Sequence, residues 1–366
     1  MDIAIVGGGI GGVATAVALR QYGIPFTLYE RAPEIREAGA GMMIWPNASR
    51  VLRELGVLDD IIAHSGRNTN FLVRSQHGRV LMNIPLGEFD VPALCTCRSD
   101  LLAALLAKLP PDSIRLGHEL SRLDARRSSV ILHFTNGESA EHAAVIGADG
   151  IRSRVRRELF GSMEPVDHGY DVWRGIASYS GDAIAAGCNS ESWGRGQRFG
   201  ILNTGRDRIT WYAAAASNQP ERNLSEMFRD WHQPISELIG STQTILRNRA
   251  LDLAPLPRWS QGAVTLLGDA AHPCTPNLGQ GCCMAIEDAM VLAKSLHSQP
   301  SLSSSFLRYE TQRRARTSHI QRRSRMMGRI AQWENRALTV GRDIVTHMLP
   351  AKMFERNLRR VYSYET

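Results

Sequence analysis

Short apolar runs alternate with helical patterns at the start of the chain. Residues 3–6 form a continuous apolar run that predicts a buried strand, and 13–22 follow with the spacing of an amphipathic helix. A second short strand is predicted at 26–29, and a further one at 263–267, where Gly268 closes the run. Strands that alternate with helices indicate a parallel sheet covered by helices.

The pattern changes in the middle of the chain. From 71 to 84, and again from 166 to 216, short segments alternate in strand fashion between glycines, with many aromatic residues in the second stretch. This alternation is typical of an antiparallel sheet with one covered face. Residues 224–239 are predicted to be helical, as is most of the chain from 302 onward. Because the first pattern returns at 263, the parallel-sheet domain is predicted to be discontinuous.

We therefore predict an α/β fold, α+β overall, with a discontinuous Rossmann-type domain, an inserted antiparallel-sheet domain and a C-terminal helical segment. The predicted boundaries are 1–70, 95–165 and 255–300 for the first domain, 71–94 and 166–254 for the second, and 301–366 for the helices.

Composition narrows the class of protein. The 366 residues are 43% hydrophobic and 22% charged, which is ordinary for a globular chain with a sizeable core. No apolar run reaches membrane-spanning length, and the first residues predict a strand rather than a signal peptide. The six cysteines follow neither a zinc-binding nor a disulfide pattern, so we expect a cytoplasmic protein without a metal site.

A glycine-rich turn follows the first predicted strand. Gly7, Gly9 and Gly12 fit the GxGxxG pattern, and Glu30 stands at the end of the second strand. In this strand–turn–helix–strand context the glycines let a pyrophosphate approach a helix N-terminus, and the acidic residue accepts hydrogen bonds from a ribose. Because Glu30 would repel a 2′-phosphate, the pattern favours bound FAD or NAD over NADP.

Two further turns place carboxylates after apolar runs. Asp149 follows the run at 145–148, and Asp269 follows the run at 263–267. Open α/β sheets bind ligands at the carboxyl ends of their strands. Downstream, the glycines of residues 279–281 allow close approach to backbone N–H groups at a helix that is predicted to begin near Cys282.

Taken in order, the three motifs resemble those of the single-component FAD-dependent aromatic hydroxylases, the class typified by p-hydroxybenzoate hydroxylase. The salicylate hydroxylase, 3-hydroxybenzoate 6-hydroxylase and FAD-dependent urate hydroxylase branch is the better match, and the resemblance covers residues 1 to about 310. One departure lies at Cys282 and Cys283, where the family usually has a small residue followed by asparagine.

The resemblance implies that the discontinuous parallel-sheet domain binds FAD and that the antiparallel-sheet domain binds the substrate. It also implies a set of FAD-binding residues. Glu30 and Arg31 would hold the adenosine half, Arg98 the pyrophosphate and ribityl region, and Asp269 the ribityl hydroxyls. Asp149 would serve a turn that touches FAD. The residues assigned to the cofactor in this way are Gly9, Gly11, Glu30, Arg31, Met43, Arg98, Leu120, Asp149, Asp269, Gly279, Gln280, Gly281 and Cys282.

The resemblance also implies an activity. NAD(P)H would reduce FAD and leave, since the sequence has no second GxGxxG unit. O2 would then form a flavin hydroperoxide that hydroxylates an aromatic or heteroaromatic small molecule, with Pro276 shaping the cavity and no acid–base residue assigned. Two alternatives stay open: an epoxidase or tailoring oxygenase of a larger natural product on the same scaffold, and a non-catalytic flavin-binding sensor or interaction module.

Four residues have two interpretations each. Arg198 is either a ligand for an anionic substrate group or a surface charge. Trp211 and Tyr212 are candidates for substrate binding, but they alternate along a strand, so only one of them can face a cavity. His272 lies beside Asp269 and could act as a base, although a structural role is favoured.

The segment after Leu307 is strongly basic. We favour a helix with a solvated arginine face that packs on the cofactor domain through Ile320, Met326, Met327 and Ile330. The alternative is weak contact with an anionic membrane surface or an acidic partner. Nucleic-acid binding has no supporting motif, and we expect a monomer or a homodimer.

Overall fold

The computed structural model describes residues 2–35, 40–86, 89–217 and 223–366. Its helices, in chain order, are α1 Ile10–Gln21, α2 Pro46–Glu54, α3 Leu58–Ile62, α4 Arg98–Leu106, α5 Arg154–Phe160, α6 Leu224–Met227, α7 Ile235–Ser241, α8 Gly281–Ser298, α9 Leu302–Ala331, α10 Arg336–Met348 and α11 Ala351–Tyr362.

The strands complete the secondary structure of the described residues. In chain order they are β1 Ile3–Val6, β2 Phe26–Tyr29, β3 Gly41–Ile44, β4 Gly66–Asn68, β5 Asn70–Ser75, β6 Val80–Pro85, β7 Ala93–Cys97, β8 Ile114–Arg115, β9 Leu120–Ala125, β10 Val130–Phe134, β11 Ser139–His142, β12 Ala144–Gly147, β13 Val166–Ser178, β14 Cys188–Trp193, β15 Gln197–Asn203, β16 Arg208–Ala216, β17 Leu246–Asp252, β18 Ser260–Gln261 and β19 Val264–Leu266.

A six-stranded sheet forms the centre of the molecule. Its order is β18-β19-β12-β1-β2-β8, and all neighbours are parallel except β18 and β19 at one edge. The predicted strands at 3–6 and 26–29 have the bounds found here, and the third is one residue shorter at each end. Helix α1 packs between this sheet and α8, which is why its residues are buried almost without interruption.

A seven-stranded sheet, in the order β17-β13-β16-β15-β14-β5-β6, takes strands from two separate stretches of the chain. All neighbours are antiparallel except β14 and β5, which run parallel, so the prediction of a purely antiparallel sheet is wrong at that pair. The predicted helix at 224–239 is also wrong as one element. Two short helices form instead, and Pro234, which has no N–H to extend a helix, precedes the second one.

Smaller elements and the C-terminal helices surround these sheets. Two three-stranded sheets are formed, in the orders β11-β10-β9 and β3-β7-β4. Helix α9 packs along α8, and both α10 and α11 pack against β6 of the seven-stranded sheet. Within the described ranges, no helix is both long and apolar enough to cross a membrane.

Candidate functional site

A cavity of about 650 Å³ lies between the carboxyl ends of the parallel strands, the inner face of the seven-stranded sheet and the C-terminal helices. Three turns that the sequence places far apart meet in its wall. The predicted site residues that line this cavity are Gly9, Gly11, Met43, Arg98, Arg198, Tyr212, Asp269, Pro276, Gly279, Gly281 and Cys282.

The glycine turn after β1 shows which glycines the fold requires. Gly7 has φ +115°, and a Cβ on Gly12 would lie 1.9 Å from the carbonyl oxygen of Gly7. Gly9 is different: its backbone is extended, and a Cβ there would meet nothing within 4 Å. Since neither conformation nor packing demands glycine at Gly9, an approaching ligand at the N-terminus of α1 accounts for it, and this fits a pyrophosphate.

Glu30 stands at the end of β2, next to that turn. Its carboxylate accepts hydrogen bonds from the backbone N–H groups of Gly8, at 2.6 Å, and Ala32, at 2.9 Å. These bonds fix the carboxylate where a ribose would lie. Arg31 is exposed, and Leu120 is buried at the start of β9. Neither lies in the cavity wall, so their roles toward an adenosine stay predictions.

Asp149 has a structural task. One of its oxygens accepts hydrogen bonds from the backbone N–H groups of Arg154, at 2.7 Å, and Val155, at 3.1 Å, and so caps α5. Burial raises the pKa of Asp149, and the hydrogen bonds offset part of that rise. Its neighbours Ala148 and Gly150 line the cavity. The turn, rather than the carboxylate, therefore faces the site.

Asp269 is directed into the cavity. It lies in a short 3₁₀ turn after β19, and its side chain is accessible from the cavity while protein surrounds it on the other sides. Burial raises its pKa, and the charges of His272, Arg98 and Arg156 offset part of the rise. A carboxylate that faces a cavity is stabilised when hydroxyl groups donate hydrogen bonds to it. This position therefore fits the polyol part of a cofactor.

The loop before α8 supplies backbone donors. Gly279 adopts a left-handed conformation with φ +60°, and α8 then begins at Gly281, close to the predicted start. N–H groups at this N-terminus can stabilise negative charge on a ring edge. The Gln280 side chain is buried and accepts a hydrogen bond from Asn47, at 3.1 Å, so its contribution to the cavity would be its backbone.

Behind the turn lies a group of buried charges, which we call the scaffold cluster: Glu287, Asp288, Arg313, Arg316 and His272. The Arg313 side chain is fully buried, with Nη1 2.5 Å from Glu287 and Nε 2.6 Å from Asp288. Arg316 donates two hydrogen bonds to Glu287, at 2.7 and 2.9 Å. The cluster therefore joins α8 to α9.

Asp288 connects the scaffold cluster to the motif turn. It accepts hydrogen bonds from the backbone N–H of Gly268, at 3.1 Å, and it lies 2.5 Å from Nε2 of His272. Burial alone would raise the pKa of Asp288, but the charges of His272 and Arg313 lower it to about 2. His272 is 2% exposed and paired, which agrees with the structural role favoured for it.

The predicted solvated arginine face and docking stripe of the basic helix α9 are both partly wrong. Arg313 is inside the protein rather than on a solvated face, and the exposed Met326 does not belong to a docking stripe. Ile320 is buried, as predicted, and Met327 lines the cavity. Arg313 and Arg316 are three residues apart on one helix face, a spacing that could have indicated a common acidic partner.

A second group of charges, the cavity cluster, faces the cavity: Glu191, Arg198, Tyr212 and Asn277. Arg198 is 2% exposed, 3.5 Å from Glu191, and donates a hydrogen bond to Asn277 at 2.6 Å. Tyr212 donates its hydroxyl hydrogen to Glu191. Burial would lower the pKa of Arg198, but the neighbouring Glu191 raises it, so the guanidinium stays charged. Its interpretation as a surface charge is wrong.

Trp211 lies on the opposite face of the sheet. Its ring stacks on Phe199 with centroids 5.3 Å apart, and its Nε1 donates a hydrogen bond to Thr242 at 2.8 Å. Tyr212, the next residue, faces the cavity. The expectation that only one of the two can do so is confirmed, and Trp211 as a substrate-binding residue is wrong because strand residues alternate between faces.

Several residues of the wall were missed by the sequence analysis. Glu191, Arg174 and Asn277 come from different elements, and only their tertiary arrangement brings them together. The C-terminal helices contribute as well: Thr346 of α10 and Leu358 of α11 line the cavity. No motif marks Glu191, Thr346 or Leu358, whereas Arg174 lies in a short stretch, Trp173 to Gly175, that resembles the same family.

Comparison with known proteins agrees with this geometry. The family model described as "FAD binding domain" matches residues 1–324. The aurachin C monooxygenase/isomerase of Stigmatella aurantiaca is 34% identical over 98% of this chain and 97% of its own length. The 2-heptyl-3-hydroxy-4(1H)-quinolone synthase of Pseudomonas aeruginosa is 32% identical, with 99% and 98% covered. The crystal structure of Klebsiella pneumoniae HpxO with FAD and uric acid superposes with a TM-score of 0.91 at 25% identity, covering 99% of this chain and 97% of that one.

These matches confirm the resemblance, the fold class and the FAD cofactor that the motifs predict. The cavity fits that cofactor, because an accessible carboxylate, an unfilled glycine turn and a helix N-terminus converge on it. Because the family model spans most of the chain and the relatives span nearly all of it, the chain belongs to the FAD-binding-domain family and is an FAD-dependent monooxygenase.

Proposed function

We propose that this monooxygenase uses NAD(P)H and O2 to hydroxylate a neutral bicyclic heteroaromatic ring that carries an apolar substituent. An alkylated 4-quinolone is the model compound. When bound, FAD supplies the electron transfer and the oxygen activation. The protein would bind and orient the ring, exclude water and accept a hydrogen bond from it. The observation that carries the proposal is that the one arginine held within the cavity cluster is already paired with a carboxylate.

Charge is the first support for a neutral ring. Arg198 would attract a substrate carboxylate if it were unpaired, but Glu191 compensates its charge. A carboxylate substrate would have to displace Glu191 or remain close to it, and two like charges in a buried site repel each other strongly. The cavity cluster therefore disfavours anionic rings.

Glu191 gives the neutral ring a binding partner. Its oxygens accept hydrogen bonds from Tyr212 and from Nε1 of Trp193, the latter at 2.5 Å, which hold the carboxylate in one orientation. A carboxylate accepts hydrogen bonds at several lone pairs, so it can also accept one from a ring N–H or O–H. Such a bond would increase electron density on the ring and favour attack by an electrophilic oxygen.

Two further arginines, Arg98 and Arg174, lie in the cavity wall outside the cavity cluster. Burial lowers the pKa of Arg174, and the neighbouring Arg98 lowers it further. Arg98 also interacts with the charge of Asp269, at the cofactor end of the cavity, while Arg174 interacts with Tyr212 of the cavity cluster. We assign these two arginines to the charges of FAD and of the visiting NAD(P)H rather than to the substrate.

One part of the cavity wall is apolar, and it would bind the apolar substituent of the proposed substrate. It is formed by side chains from β5, β6, β14, β15 and α11, namely Phe71, Val73, Met82, Ile84, Trp193, Leu202 and Leu358. Burying one methylene group contributes about 0.8 kcal/mol, so an alkyl chain would gain substantial affinity here. The heptylquinolone synthase and the aurachin C enzyme, which match nearly the whole chain, are consistent with this class.

Substrate-stimulated NAD(P)H oxidation tests the proposal. We expect 2-heptyl-4(1H)-quinolone to give hydroxylated product in nearly equal amount to the NAD(P)H consumed, and 4-quinolone without the chain to have a much higher KM. Urate and 6-hydroxynicotinate serve as polar and anionic comparisons. Tight coupling with either of these and none with the quinolones would refute the substrate class and point to Arg174 as the anion ligand.

A further inference from the structure

The apolar side of helix α10 faces the solvent, and its polar side faces the protein. Its buried residues are Thr339, Arg342 and Thr346, all of them polar. The exposed apolar residues form what we call the outer face of α10, composed of Ala337, Leu338, Val340, Ile344, Val345 and Met348, while the exposed Arg336 and His347 lie beside it. At about 100° per residue, these six span roughly 160° of the helix circumference without a charged member. This is the reverse of what a helix packed on a globular core requires.

A large share of the exposed apolar side chains lies on the outer face of α10. Of the twelve strongly exposed large apolar side chains among the described residues, five lie on this short helix. Ile344, Val345 and Met348 are 53%, 55% and 76% exposed. Contiguous exposed apolar surface usually marks an interaction site, whereas single exposed residues do not. The outer face of α10 therefore needs a partner.

Basic residues accompany the outer face. Arg336 is exposed at the start of α10, and Lys352, Arg356 and Arg360 are exposed on α11, which follows after two residues. The whole chain carries a formal charge of +7. Apolar side chains beside lysine and arginine are typical of helices that lie in the interface of a bilayer with anionic lipids.

We propose that the outer face of α10, together with the basic side of α11, docks this enzyme on an anionic lipid surface. A second copy of the chain fits less well, because self-association would bring the basic residues of both copies to one interface. The helix would lie in the plane of the headgroups rather than cross the bilayer, in agreement with the lack of a spanning helix in the described ranges.

Docking at this place would position the cavity. Thr346, on the buried side of the same helix, lines the cavity, as does Leu358 of α11. The two helices are therefore a shared wall between the cavity and the proposed lipid surface. This arrangement would shorten the path of an apolar ring from the bilayer to the site, but binding to vesicles does not depend on which substrate the enzyme uses.

Co-sedimentation of the FAD-loaded enzyme with vesicles tests the proposal. We expect binding to vesicles of phosphatidylcholine and phosphatidylglycerol, and about tenfold weaker binding to phosphatidylcholine alone or at high salt. The double variant Ile344→Glu and Met348→Glu should lose about tenfold or more of the affinity, and Lys352→Gln with Arg356→Gln should lose the preference for anionic lipid.

Leu307→Glu is the matched control. Leu307 is 68% exposed on α9. It lies 24 residues before the end of that helix, which places it about 36 Å along the helix axis from the end that leads to α10. We expect its vesicle binding to equal that of the unmodified enzyme, with flavin content and thermal unfolding unchanged in all variants. Equal binding by the Ile344 and Met348 variant, or no binding to anionic vesicles, would overturn the proposal. A dimer of the unmodified enzyme that dissociates in the Ile344 and Met348 variant would also overturn the proposal. It would assign the outer face of α10 to a second copy of the chain.

Discussion

The scaffold cluster and the cavity cluster are built from the same kinds of groups, yet they do different things. In the scaffold cluster, Arg313 and Asp288 have no exposed side-chain surface, and every charge is balanced by protein. In the cavity cluster, Glu191 and Arg198 are also paired, but both line the cavity. A buried charge pair therefore indicates function only where one side is open to a ligand. The scaffold cluster instead joins α8 to α9 and holds the turn at Gly268.

Asp269 lies between the two. Its turn is held by the scaffold cluster, because Gly268 donates its backbone N–H to Asp288 at 3.1 Å. Its carboxylate faces the cavity. Breaking each part should therefore affect a different property: folding for the scaffold cluster, flavin retention for Asp269, and substrate choice for the cavity cluster.

The largest effect is expected for Asp288→Asn. Without the Asp288 carboxylate, Arg313 and Arg316 share the single carboxylate of Glu287, so one buried positive charge of the scaffold cluster is left uncompensated. Such a loss typically costs about 3–5 kcal/mol of unfolding free energy. Chemical denaturation followed by fluorescence measures the loss. Asp167→Asn, which breaks the exposed pair with Arg249, is the control and should cost less than about 1 kcal/mol. Equal losses would show that burial does not distinguish the two pairs.

Asp269→Ala should act on flavin. We expect the dissociation constant for FAD to rise about a hundredfold, which corresponds to about 2.7 kcal/mol, so that the protein purifies largely without flavin. Absorbance of the bound flavin and titration of the apoprotein measure this. Asp230→Ala, at an exposed carboxylate, should leave flavin content unchanged. Full flavin and activity in the Asp269 variant would contradict our assignment of the site.

Lowering the pH should weaken the scaffold cluster, and this loss of stability can be measured without replacing any residue of the cavity wall. The pKa of Asp288 is lowered to about 2 in the folded state, so its stabilising contribution is present above the ordinary value near about 4 and is lost as the pH falls through about 2. We expect the stability difference between the unmodified enzyme and Asp288→Asn to shrink by about 2 kcal/mol between pH 7 and pH 2. A difference that is constant with pH would contradict this.

The smallest effect is expected for Glu191→Gln, which tests whether the cavity cluster selects the substrate. Without the carboxylate, Arg198 becomes an uncompensated cation in the cavity, so rings that bear a carboxylate should gain about tenfold in kcat/KM relative to neutral rings, or about 1.4 kcal/mol. Steady-state kinetics with 6-hydroxynicotinate and an alkylquinolone measure the ratio. Tyr212→Phe keeps both charges and should shift it less. A ratio that does not move would remove the cavity cluster from substrate selection.

The sequence by itself determined the cofactor end of the site. Gly9, Glu30 and Asp269 were predictable because each follows a short apolar strand, and parallel strands bring their carboxyl ends to one edge. The strand at 3–6 was predictable because it is buried on both faces and leaves an uninterrupted apolar run. The strand at 26–29 is half-buried at its first two residues and buried at its last two, and its bounds were also predicted. The exact domain boundaries, the oligomeric state and the cytoplasmic location stay predictions.

Only the tertiary structure decided the substrate end. Whether Trp211 or Tyr212 faces the cavity depends on which side of the sheet the cavity occupies, and alternation alone leaves that choice open. Arg198 had two interpretations, an anion ligand or a surface charge, and only the tertiary structure places Glu191 of the neighbouring strand beside it. In the same way, α10 shows ordinary helical periodicity, and only packing reveals that its polar side is the buried one. The pattern of a chain records which residues share a face, while long-range contacts decide where that face points.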